Sequence, residues 1–336
     1  MGVILWRGRA RNVLAAVLSS VLLSVAFALA PCGVSRASDP LPGDAEAPPS
    51  NTNLLLYYNI FTNAGVLEPP HGDGYAKDTR VSMNIQALRY IRTFNIAGML
   101  SGVQVVQPYA IFLGDQVRGL PVMPPSGGPG RVSLTHSNGF LQPSFGAFIF
   151  PIAHPATGTY FVTGFWFSPP IGQYNQNANL TITQNLWNGE LEAGARTLLF
   201  GTPDSQYLGA ELWGEGYIYG SNDDATLAGI GLPGPARLSQ QPTAEIRFYL
   251  PYQFYPATRA KFIPGIYQSF GGKQYYTLPN GSRIDAGTRT QETQLRFMLS
   301  SFLSRHWQIL LNGQFDVASH GAPLQRELEL RVVAAF

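Results

Sequence analysis

The C-terminal end of the chain constrains its fold more than any other segment. From Leu328 to Phe336 the even positions read Leu328, Leu330, Val332, Ala334 and Phe336, while the odd positions from 327 read Glu327, Glu329, Arg331, Val333 and Ala335. Successive side chains of a strand point to opposite faces, so one face here is wholly apolar and the other opens with three charges. The same period of two recurs upstream. Trp307, Ile309, Leu311, Phe315 and Val317 oppose His306, Gln308, Asn312, Gln314 and Asp316, with Leu310 as an exception. Leu295, Phe297 and Leu299 oppose Glu292, Gln294 and Arg296. Phe262, Ile266 and Phe270 oppose Arg259, Lys261 and Tyr267, and Ile246, Phe248 and Leu250 oppose Glu245, Arg247 and Tyr249.

Alternation alone also suits a soluble sandwich. Composition separates the two, because only 12% of the residues are charged against about 25% in soluble domains. No stretch after residue 37 has the roughly 18 consecutive apolar residues that a membrane helix needs. Lipid then leaves only the closed barrel, in which every backbone group is paired. A sandwich edge also gives no reason for the chain to stop on an aromatic residue, whereas Phe336 at the end of an alternating strand suits a signal read by the outer-membrane barrel-assembly machinery. The expected fold is an all-β antiparallel transmembrane barrel of about 12 strands, within 10–14. The strands fall near 53–62, 80–95, 99–113, 140–151, 159–170, 185–199, 206–219, 242–251, 258–270, 287–302, 305–317 and 325–336.

Long and short connections alternate between these strands, as extracellular loops and periplasmic turns do in bacterial barrels. The longest loops are expected near 114–139 and 220–241. The first of these, rich in Pro and Gly, lies exposed at the surface or folds into the barrel mouth. Two strands read less clearly. Val81, Met83, Ile85 and Ala87 alternate with Ser82, Asn84 and Gln86, but Arg89 then falls on the apolar face, which suggests a bulge or exit there. Tyr160–Phe167 is apolar on both faces and cannot be phased.

The N-terminus reads as a secretory signal. Arg7, Arg9 and Arg11 precede an apolar run from Val13 to Ala30, and Ser35-Arg36-Ala37 offers a small-residue cleavage site after Ala37. Leu29-Ala30-Pro31-Cys32 faintly resembles a lipobox, but Pro31 argues against lipid processing at Cys32, the single cysteine. Loss of Arg7, Arg9, Arg11 and Arg36 leaves 18 basic against 20 acidic residues. That balance carries no footprint for nucleic acid. Residues 38–51, with the run Pro-Leu-Pro-Gly-Asp-Ala-Glu-Ala-Pro-Pro, read as a flexible periplasmic leader, and 52–336 as the barrel in the outer membrane of a Gram-negative bacterium.

Catalytic chemistry is not apparent. The five histidines are scattered and no Gly-x-Ser-x-Gly occurs. The pairs Glu190/Glu192 and Glu327/Glu329 could hold a divalent cation, but pairing with neighbouring Arg or Lys is the plainer reading. No enzyme activity, metal or cofactor is expected. Phasing turns Glu190, Glu192, Arg196, Glu211, Glu215, Glu245, Arg247, Arg259, Lys261, Glu292, Arg296, His306, Asp316, Glu327, Glu329 and Arg331 into the lumen. Mixed signs at this strand number suggest cross-strand pairing and a narrow interior, whereas open porins use roughly 16–18 strands.

The stretch Phe165-Trp166-Phe167-Ser168-Pro169-Pro170-Ile171-Gly172-Gln173-Tyr174, followed by Asn179, Asn185 and Trp187, resembles a segment of a bacterial family of outer-membrane transporters associated with the meta-cleavage pathway of phenol degradation. Pro170, Gly172, Tyr174, Asn179, Asn185 and Trp187 carry the likeness, and Ile171 stands where Thr or Ser would be expected. The resemblance implies an outer-membrane barrel near aromatic-compound catabolism that takes up small hydrophobic molecules. The alternatives are a structural or plugged barrel without transport and a soluble periplasmic β-rich binding protein.

Overall fold

The alternating segments pair in sequence order, each antiparallel to the next, and the last pairs with the first. The computed structural model describes residues 39–65, 80–117, 120–121, 138–175, 181–226, 235–285, 290–320 and 324–336. The segment read as a signal, Asn179 and most of the 114–139 loop lie outside these residues. The wall consists of β1 (Asn53–Gly65), β2 (Arg80–Ile96), β3 (Met99–Val117), β4 (Ser144–His154), β5 (Thr159–Ser168) and β6 (Asn188–Gly201). It continues with β7 (Tyr207–Tyr219), β8 (Thr243–Tyr249, prolonged by Tyr252–Tyr255), β9 (Ala260–Gly271), β10 (Gln291–Phe302), β11 (Trp307–His320) and β12 (Leu324–Ala335). Pairing of β1 with β12 closes the ring of 12 strands. Phe336 lies at that seam, where its amide donates to the Asn53 carbonyl at 3.0 Å and its carbonyl accepts from the Asn53 amide at 2.9 Å. A closed ring with an apolar outer face excludes the soluble alternative.

Lipid dictates the exterior. Phe61, Leu88, Phe165, Leu191, Leu212 and Leu328 are exposed and stand at alternate positions between inward-facing residues, as the outer belt of a membrane barrel requires. Short turns such as Ala97–Gly98 and Pro155–Gly158 lie at the end that holds both Asn53 and Phe336, the periplasmic end. Ala97 and Gly98 both take positive φ, 51° and 82°, in a tight turn that only such backbone closes. At the opposite end, Ser221–Thr226, Pro235–Gln240, Gln274–Thr277 and Arg283–Asp285 form a separate four-stranded sheet above the mouth.

The leader departs from the sequence reading. The stretch expected over 38–51 as a flexible periplasmic leader instead folds, from residue 39 on, up into the lumen. Leu41 and Ala45 are fully buried there, in one cluster with Leu56, Tyr58, Ile60, Ile85 and Ile91. A turn in which the Asp44 amide donates to the Leu41 carbonyl at 3.0 Å, and the Glu46 amide to the Gly43 carbonyl at 3.0 Å, keeps the segment compact.

That packing explains β2. Met83, Ile85, Ala87 and Ile91 point inward with Arg89, while Gln86, Leu88 and Tyr90 point out. Arg89 is therefore in phase. The strand neither bulges nor exits there, and its register shift lies at Ser82/Met83 instead.

Candidate functional site

Inner faces of the strands divide the lumen into two unlike halves. Along β1–β5 the inward residues are mostly apolar, among them Leu56, Ile60, Ile85, Phe150, Val162 and Trp166, all buried. Among the described residues of these five strands, Arg89 is the one buried Asp, Glu, Lys or Arg. Along β6–β12 the inward positions carry Glu190, Glu192, Arg196, Glu211, Glu215, Glu245, Arg247, Lys261, Glu292, Arg296, Asp316, Glu329 and Arg331, all buried, with Glu327 half-buried.

Two of the residues expected in the lumen sit elsewhere. Arg259 occupies the periplasmic turn before β9 with φ 49°, exposed, its guanidinium 5.9 Å from the Phe302 ring. His306 is exposed in the turn before β11, its Nδ1 3.0 Å from the Ala335 carbonyl. Each strand begins two residues later than expected, at Ala260 and Trp307, so both side chains ring the periplasmic mouth, at the edge of the lower lumen.

The charged half is an ion-pair network completed by the leader. Glu46 pairs with Arg196 at 2.7 Å and with Lys261 at 2.8 Å. Asp44 pairs with Arg331 at 2.8 Å and lies 3.8 Å from Arg89. Asp39 meets Arg247 at 3.0 Å, beside Glu245 at 2.8 Å and Glu215. The carboxylate oxygens of Asp39, Glu215 and Glu245 lie within 4.8 Å of one another, and the Arg247 guanidinium is the cation they hold. The Gly43 amide donates to both oxygens of Glu211 at 3.1 and 3.0 Å. Burial alone would push the Glu46 carboxyl up, but Lys261 and Arg196 outweigh it and bring its pKa down to about 2.

Aromatic rings back the cations. Arg296 lies 4.4 Å and Arg247 5.0 Å from the Tyr267 ring centre, and Arg89 5.1 Å from that of Trp166. A guanidinium stacked on a ring shares its desolvation cost with the π face.

The leader separates two cavities. Above it lies a chamber of about 240 Å³, floored by Asp39 and Leu41 and roofed by the inward loop of Ile182, Thr183 and Leu186. Below it, a space of about 340 Å³ runs along Leu54, Leu56, Ile91, Phe148 and Phe150. The roof is tied across the mouth by the Gln184 amide, which donates to Gln274 Oε1 at 3.1 Å.

The motif Pro170, Gly172 and Tyr174 lies in the loop after β5. Asn185 holds a positive φ of 56°, and Trp187 packs 6.4 Å from Phe167 at the start of β6. The residues of this stretch that line the upper chamber are instead Ile182, Thr183, Gln184 and Leu186. Gln142, Gln173 and the leader acids carry as much of this arrangement, and alternation gave no signal for them.

A closed 12-strand antiparallel barrel with a lipid-facing exterior and an interior filled from its own N-terminal side defines an outer-membrane β-barrel protein of Gram-negative bacteria. The family model described as "Putative MetA-pathway of phenol degradation" matches residues 64–331, and the chain belongs to that family. Its fold is similar to the crystal structure of an outer membrane channel from Pseudomonas putida F1, at 18% identity and a TM-score of 0.71, with 89% of this chain and 100% of that one covered. It is also similar to the transport unit of the autotransporter AIDA-I from Escherichia coli, at 7% identity and a TM-score of 0.50, covering 95% and 98% of the two chains. No curated protein sequence matches the chain.

Proposed function

We propose that the protein passes small hydrophobic, aromatic-type molecules across the outer membrane without converting them chemically. The apolar inner wall of β1–β5 carries this reading. A barrel built only for water and ions has a polar interior, yet here Leu56, Ile85, Phe150, Val162 and Trp166 line one continuous side of the lumen. An apolar solute moving along it exchanges water for hydrocarbon at about 25 cal/mol per Å² of surface buried, while the charged side, already paired internally, offers it nothing. The structure of the Pseudomonas putida relative is described as a channel, which supports transport in this family.

The second reading is a barrel sealed by its leader. Leu41 and Ala45 on the same apolar wall favour it. The two separate in a growth and uptake assay. A strain lacking the gene should take up a labelled monoaromatic compound more slowly than its parent at limiting concentration, and the difference should fade when the compound is abundant. Equal uptake across aromatic and aliphatic compounds would leave the sealed barrel standing.

A further inference from the structure

Charge is not spread evenly between the two cavities. The upper chamber takes Asp39, Glu190, Glu245, Glu292, Glu327 and Glu329 into its lining against a single base, Arg296. Around the lower space the balance is reversed. Arg89, Arg259, Lys261, Arg305 and Arg331 line it, and among the described residues the barrel wall supplies one acid there, Glu192. The other two carboxylates are the leader's own Asp44 and Glu46. Leader aside, the lower space is an apolar surface set among cations.

The leader meets that setting with a particular chemistry. One oxygen of Glu46, Oε2, accepts from Arg196 at 2.7 Å and from Lys261 at 2.8 Å. Two cationic donors on one carboxylate oxygen make a strong and orienting contact. Both cations are buried, and the Tyr207 ring stands 5.6 Å from the Arg196 guanidinium and 5.8 Å from the Lys261 ammonium. The Tyr207 hydroxyl also accepts from Arg196 at 2.7 Å, which fixes the guanidinium in place. Next along the leader the chain turns apolar. Ala47 packs against the core cluster, and Pro48 and Pro49 line the same space. A carboxylate followed by a compact apolar body has the outline of a small ring-bearing carboxylic acid.

Access is from the periplasm. Arg259, Arg305 and His306 are exposed at the periplasmic mouth and line the lower space. Charges of one sign around a mouth with low-dielectric walls raise the local concentration of the opposite ion. From the outside, the same anion meets the acids of the upper chamber first.

We infer that the lower space is a binding site for a small aromatic or alicyclic monocarboxylate arriving from the periplasm. Its ring lies on the apolar lining and its carboxylate takes the place of Glu46 on Arg196 and Lys261. Leader and ligand compete for one pair of cations, so binding releases Glu46 and loosens the leader. The binding stands apart from the uptake of neutral solutes proposed above, and only its effect on the lumen rests on that reading.

The probe is labelled benzoate, titrated onto the purified protein in detergent. Glu46→Gln removes the competing carboxylate and should tighten benzoate binding by about tenfold or more. Cyclohexanecarboxylate should displace the label. Acetate, which lacks the ring, and benzyl alcohol, which lacks the carboxylate, should not. Arg259→Gln alters an exposed side chain and should weaken binding by about threefold at low salt, with the difference shrinking as salt is added. In planar bilayers, benzoate on the periplasmic side of the wild-type protein should raise the frequency of opening, and benzoate on the outer side should not. Equal affinity of Glu46→Gln and wild type, or displacement by benzyl alcohol as effective as by cyclohexanecarboxylate, overturns the site. Binding that leaves the opening frequency unchanged overturns the competition with the leader. None of these outcomes bears on uptake of neutral compounds, which the comparison with a strain lacking the gene decides separately.

Discussion

Replacing the two leader acids that grip the lower lumen, Asp44→Asn together with Glu46→Gln, should loosen the leader while the barrel stays assembled. The bases they face are nearly inaccessible, with 2% side-chain exposure for Arg196, 5% for Lys261, 4% for Arg331 and 8% for Arg89. Removing one partner of a fully buried pair costs about 3–5 kcal/mol, because the remaining charge stays desolvated. Asp44 and Glu46 are 20% and 30% exposed, and water screens part of each interaction, so about half that cost applies per acid. Both changes together come to about 3–5 kcal/mol. At roughly 1.4 kcal/mol per tenfold, docking of the leader weakens by about two to three and a half powers of ten. Burial of Leu41 and Ala45 and the Gly43–Glu211 bonds remain, so the leader becomes mobile rather than lost.

Single-channel recording of the purified protein in planar bilayers reads this directly. Wild type should be mostly closed, and the double variant should open often to the level seen when residues 39–49 are deleted. If the deletion conducts freely while the double variant stays closed like wild type, the ion pairs do not hold the leader, and the reasoning fails.

At Glu46 acid should act in the same direction. Because the Glu46 pKa is lowered from 4.5 to about 2, its contribution is complete above the ordinary value and is lost as pH falls through about 2. Its grip should therefore be constant from about pH 5 to 8, so a Glu46→Gln variant whose added leader opening over wild type varies across that range would contradict the assignment. Arg247→Met leaves Asp39, Glu215 and Glu245 gathered without their cation. It should cost about 3–5 kcal/mol, seen as a lower temperature for loss of the compact, heat-modifiable gel band. Deleting Phe336 removes both its backbone bonds to Asn53 and the proposed assembly signal, and should lower outer-membrane yield, with normal yield counting against that role.

Period two phased the strands wherever the lumen is charged. On β8, β10 and β12, lipid outside demands Phe248, Phe297 and Leu328, and inside stand Arg247, Arg296 and Glu329, so only one phase is chemically sensible. On β2 the same logic misled, because Ile85 and Ala87 are apolar yet inward. Apolar residues are no evidence for lipid when the interior offers an apolar surface of its own. The leader was illegible for a related reason. Pro40, Pro42, Gly43, Pro48 and Pro49 read as linker composition, and its acids reveal their role only through partners as distant as Arg331, 287 positions away. Nothing in the spacing of Asp44 and Glu46 encodes those contacts. The side-chain amides of Gln142 and Gln173 escaped for want of any periodic context.

These misreadings share a physical root in strand number. Eight strands enclose an interior that side chains alone can fill, and 16 or more leave an aqueous channel, by roughly the known scaling of barrel width. Twelve strands fall between, too wide to pack from the wall and narrow enough for one folded segment to fill. The leader supplies that filling, and its position relative to the seam gives it a second effect. β1 is hydrogen-bonded to β2 on one side and to β12 on the other. Asp44 reaches across β1, with Arg89 of β2 at 3.8 Å and Arg331 of β12 at 2.8 Å. A carboxylate held between cations on the first and last parts of the sheet favours exactly the register in which those parts close. Docking of the leader and closure of the barrel are therefore coupled. Weakening either should be felt in the other, so a variant that frees the leader should also fray the β1–β12 edge before any other pair of strands.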